Sequence, residues 1–282
     1  MKFTVFGGRG FVGSALCAHL YRQGYEVFVP TREATDAIGR ELGHVIYAIG
    51  LTADFRTRPI DTVDAHVCLL AHLLRTTRFD SWLYLSSTRI YAGLVAEPAH
   101  EDVPLTVVPD ADGIYNLSKL TGEAVCLAQI SRHVRVARLA NIYGSGQARE
   151  TFLGSLLDDI AHGRDSMIHE APTSSKDYIA LEDVCWLLER IALGGSHRIY
   201  NVASGIQLSH AELARVVAEK SSGVVTFADG ASHRSVPRID IARITSEFGF
   251  CPRQLSDELG SLIASSRTRH TKDIGTHEPP HK

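Results

Sequence analysis

The sequence predicts an α/β protein in which a parallel sheet is covered by helices on both faces. Short apolar runs of strand length alternate with longer segments whose apolar residues recur at helical spacing, beginning with a strand over Lys2–Phe6 and a helix over 11–21. Strands buried on both faces have this kind of apolar sequence. The chain has 282 residues, 44% of them hydrophobic, which is enough to build a large core.

The same alternation continues along the chain and then changes character. It predicts strands over 26–29, 44–49, 82–85 and 134–139 and helices over 61–77 and 115–130. After about residue 144 it loosens, with helices predicted near 152–162, 181–193, 209–221 and 240–248 and strands from 177 and over 198–202. We therefore predict a main domain over 1–145 with return segments near 176–205, a smaller C-terminal α/β substrate lobe over 146–266, and a disordered tail over 267–282.

Composition narrows the function classes. The formal net charge is -3 and no basic stripe is present, so we expect no nucleic-acid partner. No run approaches the roughly 18 apolar residues that span a bilayer, and we expect a cytoplasmic protein without a membrane partner. The cysteines and histidines are dispersed, and we predict no metal site.

A glycine motif joins the first strand to the first helix. Gly7, Gly10 and Gly13 form G-x-x-G-x-x-G. Glycines in this place allow a sharp turn and close approach of a pyrophosphate to the free N–H groups of the helix. The motif predicts a Rossmann-type, doubly wound sheet that binds a dinucleotide.

The residues after the second strand bear on the choice of dinucleotide. NAD-binding folds usually carry an acidic residue there for the ribose hydroxyls, whereas this chain continues with Pro30, Thr31 and Arg32, and Glu33 is one residue too distant. Arg32 and Arg9 could pair with a 2′-phosphate. The cofactor is predicted to be NADP(H) or NAD(H), and the arginines favour NADP(H).

Tyr115 and Lys119 have i,i+4 spacing on a predicted helix, so their side chains share one face. An ammonium beside a phenol stabilises the phenolate, which makes the tyrosine a usable acid or base near neutral pH. The pair predicts a proton-transfer site.

Several motifs in order resemble the extended short-chain dehydrogenase/reductase family over most of the chain. They are GGRGFVG from Gly7, VIYAIGLTA from Val45, YLSSTRIYAG from Tyr84, YNLSKLTGEA from Tyr115, ARLANIYG from Ala137, KDYIALEDV from Lys176 and RIYNVASG from Arg198. VIYAIGLTA is similar to the fourth-strand segment of nucleotide-sugar epimerases. Because it begins so soon after the second strand, the family's third strand region is predicted to be shortened or absent.

The resemblance implies roles by position. Ser87 would hydrogen-bond the reacting oxygen, Tyr115 would be the acid/base, and Lys119 would bind the nicotinamide ribose and lower the pKa of Tyr115. The predicted cofactor-binding residues are Gly7, Arg9, Gly10, Phe11, Val12, Gly13, Arg32, Gly50, Leu51, Tyr115 and Lys119. The predicted substrate-binding residues are Thr88, Asn141, Lys176, Arg234 and Arg238.

The resemblance also implies a reaction class. Thr88 and Arg89 stand where dehydratases of the family carry an Asp-Glu pair, which disfavours dehydration. We expect an epimerase acting on a nucleotide sugar through a transient keto intermediate. The alternatives are an NADPH-dependent keto-sugar reductase and a non-catalytic dinucleotide-binding regulator. By analogy with the family, the helices over 61–77 and 115–130 are expected to pair across a homodimer axis.

Overall fold

The computed structural model describes residues 1–51, 54–94, 97–221, 223–234 and 236–274. Its strands are β1 (Lys2–Phe6), β2 (Glu26–Phe28), β3 (His44–Tyr47), β4 (Ser81–Ser87), β5 (Val134–Leu139), β6 (Asn141–Tyr143), β7 (Ser166–Glu170), β8 (Ser175–Ala180), β9 (Ile199–Val202), β10 (Gln207–Ser209) and β11 (Val225–Ser232). Its α-helices are α1 (Phe11–Arg22), α2 (Pro59–Val63), α3 (Leu69–Thr76), α4 (Ile114–Leu127), α5 (Phe152–Ala161), α6 (Leu181–Gly194), α7 (His210–Lys220), α8 (Ala242–Phe248) and α9 (Leu255–Ile274).

The central sheet has six strands in the order β2-β1-β3-β4-β5-β9, and every pairing in it is parallel. Side chains of β4 alternate between its faces, as the two-residue period of a strand requires. Leu83 and Leu85 join a core cluster with side chains of α1 and α6, whereas Trp82 and Tyr84 join another with side chains of α3 and α4. Helices therefore cover both faces, which confirms the predicted doubly wound Rossmann-type fold.

The sheet ends at β2, as the short spacing between the second strand and VIYAIGLTA predicts. Residues 29–43 contain one turn of 3₁₀-helix, Thr35–Ala37, and no strand or α-helix. The strand of VIYAIGLTA is β3, which pairs with β1. In a Rossmann sheet with all six strands that position belongs to the fourth strand, so the third strand is the one that is absent. Thr52 and Ala53, at the end of that motif, lie outside the described residues. The adenosine side of the sheet is consequently built from a short loop.

The C-terminal lobe has its own sheets. β8 lies between β10 and β6, while β11 pairs with β7. The lobe's core cluster combines apolar side chains of α5, α7 and α9. The chain enters the lobe at β6 and returns to the central sheet with α6 and β9. β7, β11 and α9 were not predicted from the sequence. The helix α9 continues through the first part of the predicted tail, as far as Ile274. Residues 275–282 of that tail are outside the described residues.

Within the described part of the chain, no helix is long and apolar enough to cross a membrane. The same residues contain no group of three or more His, Cys, Asp or Glu side chains arranged to hold a metal ion.

Candidate active site

The turn between β1 and α1 requires glycine at two positions. Gly7 has a φ of +78°, and a Cβ on Gly13 would lie 2.2 Å from the carbonyl oxygen of Gly7. The turn leaves the helix end open, because the N-cap residue Gly10 has no side chain and the first turn of α1 carries no acidic residue. Its unpaired N–H groups and the positive end of the helix dipole are therefore available to an anion such as a pyrophosphate.

A cleft opens beside this helix end. It is lined by Arg9, Gly10, Phe11, Ser14 and Ala15 from the turn and α1, and by Ser145, Gly146, Ala148 and Leu181 from the start of the lobe and of α6. Phe11 and Val12 also pack against the main core, which fixes the first helical turn. The cleft and the glycine turn together fit a dinucleotide, because the cleft lies beside the open N-terminus of α1, whose N–H groups can donate to a pyrophosphate.

The loop after β2 holds the residues expected to face the adenosine. Arg9 and Arg32 are both exposed. Sequence reasoning missed Asp36, whose carboxylate accepts hydrogen bonds from the Thr31 N–H (3.1 Å to Oδ1) and from Thr31 Oγ1 (2.9 Å). A carboxylate therefore does lie near the end of β2, but it is engaged by the loop's own residues.

Ser87, Tyr115 and Lys119 come together at the carboxyl end of the sheet. Ser87 is the last residue of β4, and Tyr115 and Lys119 lie one turn apart near the start of α4. Lys119 is 4% exposed, and its Nζ donates to the Leu85 carbonyl at 2.9 Å. The same Nζ is 6.0 Å from the centre of the Tyr115 ring. The structure thus brings together the three predicted catalytic residues.

The pKa values of this cluster are set mainly by burial. Burial lowers the pKa of Lys119 from 10.5 to about 7, while the charge of Glu123 opposes the change. Burial raises the pKa of Tyr115, and the Ser87 hydroxyl and the Arg89 guanidinium lower it. In this arrangement Ser87 and Arg89, rather than Lys119, are the groups that lower the pKa of Tyr115.

His66 is a neighbour of this cluster that the sequence did not reveal. It lies in a π-helical segment, Asp64–Cys68, between α2 and α3, and its ring is edge-on to Tyr115 at 5.4 Å. Its Nδ1 is 2.8 Å from Ser118 Oγ. Burial and the charge of Lys119 lower the pKa of His66 to about 3, so the ring is neutral. Local π-helical segments are frequent at functional sites.

The predicted cofactor residues Gly50 and Leu51 follow β3 on the same side of the sheet. A Cβ on Gly50 would lie 3.1 Å from His66 Nε2 and 3.3 Å from Lys119 Nζ. The backbone at Gly50 therefore lies directly against the Lys119 ammonium, and a larger residue there would displace it. Leu51 is partly buried beside it.

Two of the predicted substrate-binding residues, Thr88 and Asn141, have side chains that are held by backbone carbonyls. Thr88 is buried, and its hydroxyl donates to the Leu139 carbonyl at 3.4 Å. Asn141, at the start of β6, donates from Nδ2 to the Asp177 carbonyl at 2.9 Å. The side chain of Thr88 is therefore turned into the core, and the amide of Asn141 is held by β8.

The three cationic candidates lie in or next to the lobe. Lys176 Nζ donates to Glu170 at 2.9 Å and lies 4.0 Å from the centre of the Phe152 ring. Arg234 is exposed, with its Nε 3.7 Å from Glu170. Arg238 is exposed too. Of these cations, Arg234 is the one whose charge acts on Arg89, beside Tyr115.

Comparison with known proteins identifies the family. The model of the NAD dependent epimerase/dehydratase family matches residues 3–203. A dTDP-glucose 4,6-dehydratase from Streptomyces griseus is 28% identical over 193 residues, which are 65% of this chain and 58% of the relative. The chain therefore matches little more than half the length of that relative.

Two solved structures share the fold. A UDP-glucuronic acid 4-epimerase from Bacillus cereus, in complex with UDP-4-deoxy-4-fluoro-glucuronic acid and NAD, has a TM-score of 0.80 at 17% identity and covers 95% of this chain and 100% of its own. RMD from Pseudomonas aeruginosa, complexed with NADPH, has a TM-score of 0.77 at 24% identity, with the same coverage. Since the family model matches more than half of the chain and takes in the glycine turn as well as Ser87, Tyr115 and Lys119, this chain belongs to the NAD dependent epimerase/dehydratase family.

Proposed function

We propose that this protein is an enzyme that uses NAD(H) or NADP(H), an epimerase that acts on a nucleotide sugar through a transient keto intermediate. The observation that carries the proposal is the convergence of the partly buried Ser87 with the buried Tyr115 and Lys119 at the carboxyl end of β4, where ligands of open α/β sheets bind. The dehydratase and epimerase relatives are named for nucleotide-sugar substrates, which supports the same substrate class here.

Each residue of the cluster has a chemical task. The Tyr115 side chain, as the phenolate, accepts the proton of the reacting hydroxyl while that carbon passes hydride to the nicotinamide, and as the phenol it returns this proton when the carbonyl is reduced. Ser87 donates a hydrogen bond to the same oxygen. Lys119, held by the Leu85 carbonyl, would bind the nicotinamide ribose. When bound, the dinucleotide supplies hydride transfer at its nicotinamide ring, and the glycine turn, Arg9, Arg32, Gly50 and Leu51 would hold it.

Epimerisation follows if the keto sugar rotates in the site before it is reduced, so that hydride returns to the opposite face of the carbonyl. Tyr115 keeps the proton during that time, in a site where burial favours the neutral phenol. Dehydration would need a further acid/base pair, and Thr88 is buried against Leu139 while Arg89 is a cation. The residues beside Ser87 therefore disfavour dehydration.

Net reduction of a keto sugar is the second candidate, and the arginines of the adenosine side favour it. Arg9 and Arg32 are exposed, while the Asp36 carboxylate is engaged by Thr31. That arrangement supports a preference for NADP(H), which reductases exchange at each turnover. A non-catalytic regulator would bind the dinucleotide and be insensitive to Tyr115→Phe.

Nucleotide binding and assembly complete the proposal. Asn141, Lys176, Arg234 and Arg238 are proposed to contact the nucleotide diphosphate of the substrate. A homodimer is proposed through the surface formed by α2, α3 and α4, whose helices pack on one another in the monomer. Light scattering is expected to give twice the chain mass, and a monomer mass would remove the dimer from the proposal.

The experiment is to identify the nucleotide that the purified protein carries and then to titrate NAD(H) against NADP(H). NAD that stays bound through purification, with no net change in the ratio of NAD to NADH while substrate is converted, supports the epimerase. An empty protein that binds NADPH at least about tenfold more tightly, a difference of about 1.4 kcal/mol, and consumes it with a keto sugar, supports the reductase. Binding without any turnover of nucleotide sugars would contradict both.

A further inference from the structure

Arg89 lies at the reacting end of the site. Its backbone N–H donates to Ser87 Oγ at 3.2 Å, and its guanidinium carbon is 5.5 Å from the centre of the Tyr115 ring. The guanidinium is also 4.7 Å from the centre of the buried Phe55 ring, which itself packs 5.4 Å from Tyr115. The two rings hold the half-buried cation beside the phenol that exchanges protons with the substrate.

Among the described residues, no carboxylate forms an ion pair with the Arg89 guanidinium, although the charge of Asp112 acts on it from a distance. Within the part of the chain that the structure describes, its guanidinium donates no hydrogen bond and forms no ion pair, and its contacts are the faces of Phe55 and Tyr115. Ring faces stabilise a cation but accept none of the five directed N–H bonds of a guanidinium. A half-buried cation in this state is ready to receive an acceptor from a ligand.

The surroundings add further positive charge. Arg56 lies 4.5 Å from the Phe55 ring centre and pairs with Asp112, which is exposed at the surface. Burial and the positive charges of Arg56 and Arg234 lower the pKa of Arg89, while Tyr115 and Asp112 oppose them only in part. This side of the site therefore has an excess of positive charge that favours an anionic ligand.

We propose that Arg89 determines substrate specificity by binding a carboxylate carried next to the reacting carbon, so that the preferred nucleotide sugar is acidic. The planar guanidinium fork matches a carboxylate in a two-bond pairing. Its position beside Ser87 and the Tyr115 ring puts the anion at the sugar end of the substrate rather than at the diphosphate. A neutral sugar in the same place would leave the cation without a partner. This inference rests on the proposed nucleotide-sugar activity.

The test compares matched substrates and variants. Wild type, Arg89→Gln and the control Arg190→Gln are assayed for kcat/KM with UDP-glucuronic acid against UDP-glucose, and with the corresponding dTDP pair. Arg190 is an arginine on α6 that also stacks on a ring, 4.1 Å from the centre of Trp186, but it is exposed and lies away from the site, so it controls for the loss of a ring-stacked cation alone. Thermal unfolding of each variant establishes that it is folded.

We expect wild type to prefer the acidic member of a pair by about 10- to 100-fold, the discrimination of a charge-assisted hydrogen bond. Arg89→Gln is expected to lose most of that preference, because kcat/KM falls further for the acid than for the neutral sugar, which loses only the effect of the Arg89 charge on the pKa of Tyr115. Arg190→Gln is expected to keep the preference. Equal or better use of the neutral sugars by wild type, or an acid preference retained in Arg89→Gln, would overturn the inference and leave the proposed activity standing.

Two binding measurements separate the remaining outcomes. The affinity for UDP alone is expected to be the same in wild type and Arg89→Gln. If it falls as much as the use of the acid, Arg89 binds the diphosphate and the inference is wrong. If no nucleotide sugar is turned over, the proposed activity fails. In that case, carboxylate recognition would still be supported if wild type bound free D-glucuronate in preference to D-glucose and Arg89→Gln lost this preference. Equal binding of the two sugars by wild type would overturn it.

Discussion

Lys119→Met is expected to stabilise the cofactor-free protein near neutral pH while it abolishes turnover. The lysine is 4% exposed, and burial is the largest cause that lowers its pKa from 10.5 to about 7. Each tenfold change in an acid dissociation constant is about 1.4 kcal/mol, so the folded state disfavours the ammonium by roughly 5 kcal/mol at pH values below 7. Methionine fills nearly the same volume without a charge.

One contact opposes this gain. Lys119 Nζ donates to the Leu85 carbonyl at 2.9 Å, and methionine leaves that buried acceptor unpaired at a cost of roughly 1–3 kcal/mol. The net stabilisation is therefore about 2–4 kcal/mol below pH 7. The folded pKa lies below the unfolded one, so the unfolded chain binds the extra proton between about pH 7 and 10.5. Wild-type stability rises through that window, and the advantage of methionine shrinks as the pH increases.

The assay is urea denaturation of wild type, Lys119→Met and Lys220→Met at intervals from about pH 6 to 10. Lys220 is an exposed residue at the end of α7 and serves as the control, for which no change in the free energy of unfolding is expected. A Lys119→Met protein that is less stable than wild type at pH 7, or a difference that does not vary with pH, would refute the reasoning that burial of the ammonium sets its pKa.

Three further predictions test the cluster, the core and the cofactor turn. Tyr115→Phe is expected to lower kcat by about 10²- to 10⁴-fold with cofactor affinity unchanged, and a smaller loss would argue against proton transfer by the phenol. Arg138→Met leaves the buried Glu123 carboxylate without its 2.7 Å ion pair, so urea denaturation should report a loss of roughly 3–5 kcal/mol, and a loss near zero would mean that the carboxylate is solvated. Gly13→Ala puts a Cβ 2.2 Å from the Gly7 oxygen, so dinucleotide affinity should fall by at least about tenfold in calorimetry, and wild-type affinity would contradict the tight turn.

Much of the fold is predictable from the sequence because its signals are local. Apolar runs of strand length alternating with helical periodicity predict a sheet covered on both faces, and the short spacing between β2 and β3 predicts the absent strand. The helix α9 carried a signal as well, since Leu255, Leu259, Leu262 and Ile263 have helical spacing and are all buried. The second half of α9 is polar and has the composition of a disordered tail, so the helix was not predicted from the sequence. Among the described strands, β7 and β11 pair only with each other, and Val225 and Phe227 are the only large apolar residues of β11.

In the candidate site, too, residues that are close in sequence are predictable and residues that only the tertiary fold brings together are not. Tyr115 and Lys119 are found from the sequence because one helical turn brings them together. Phe55, His66 and Arg89 could not be placed against Tyr115, because each comes from a different segment and only the tertiary packing brings it near. The direction of the Tyr115 pKa also depends on burial, which the i,i+4 spacing does not contain.

Proton magnetic resonance of nucleotide sugars incubated with the enzyme and its dinucleotide tests the central claim most directly. Wild type is expected to convert one nucleotide sugar into its epimer with no net change in nicotinamide absorbance, and Tyr115→Phe is expected to leave the sugar unchanged while binding the dinucleotide normally. A wild-type protein that binds the dinucleotide yet converts no sugar, or a Tyr115→Phe protein that converts it at the wild-type rate, would contradict the account.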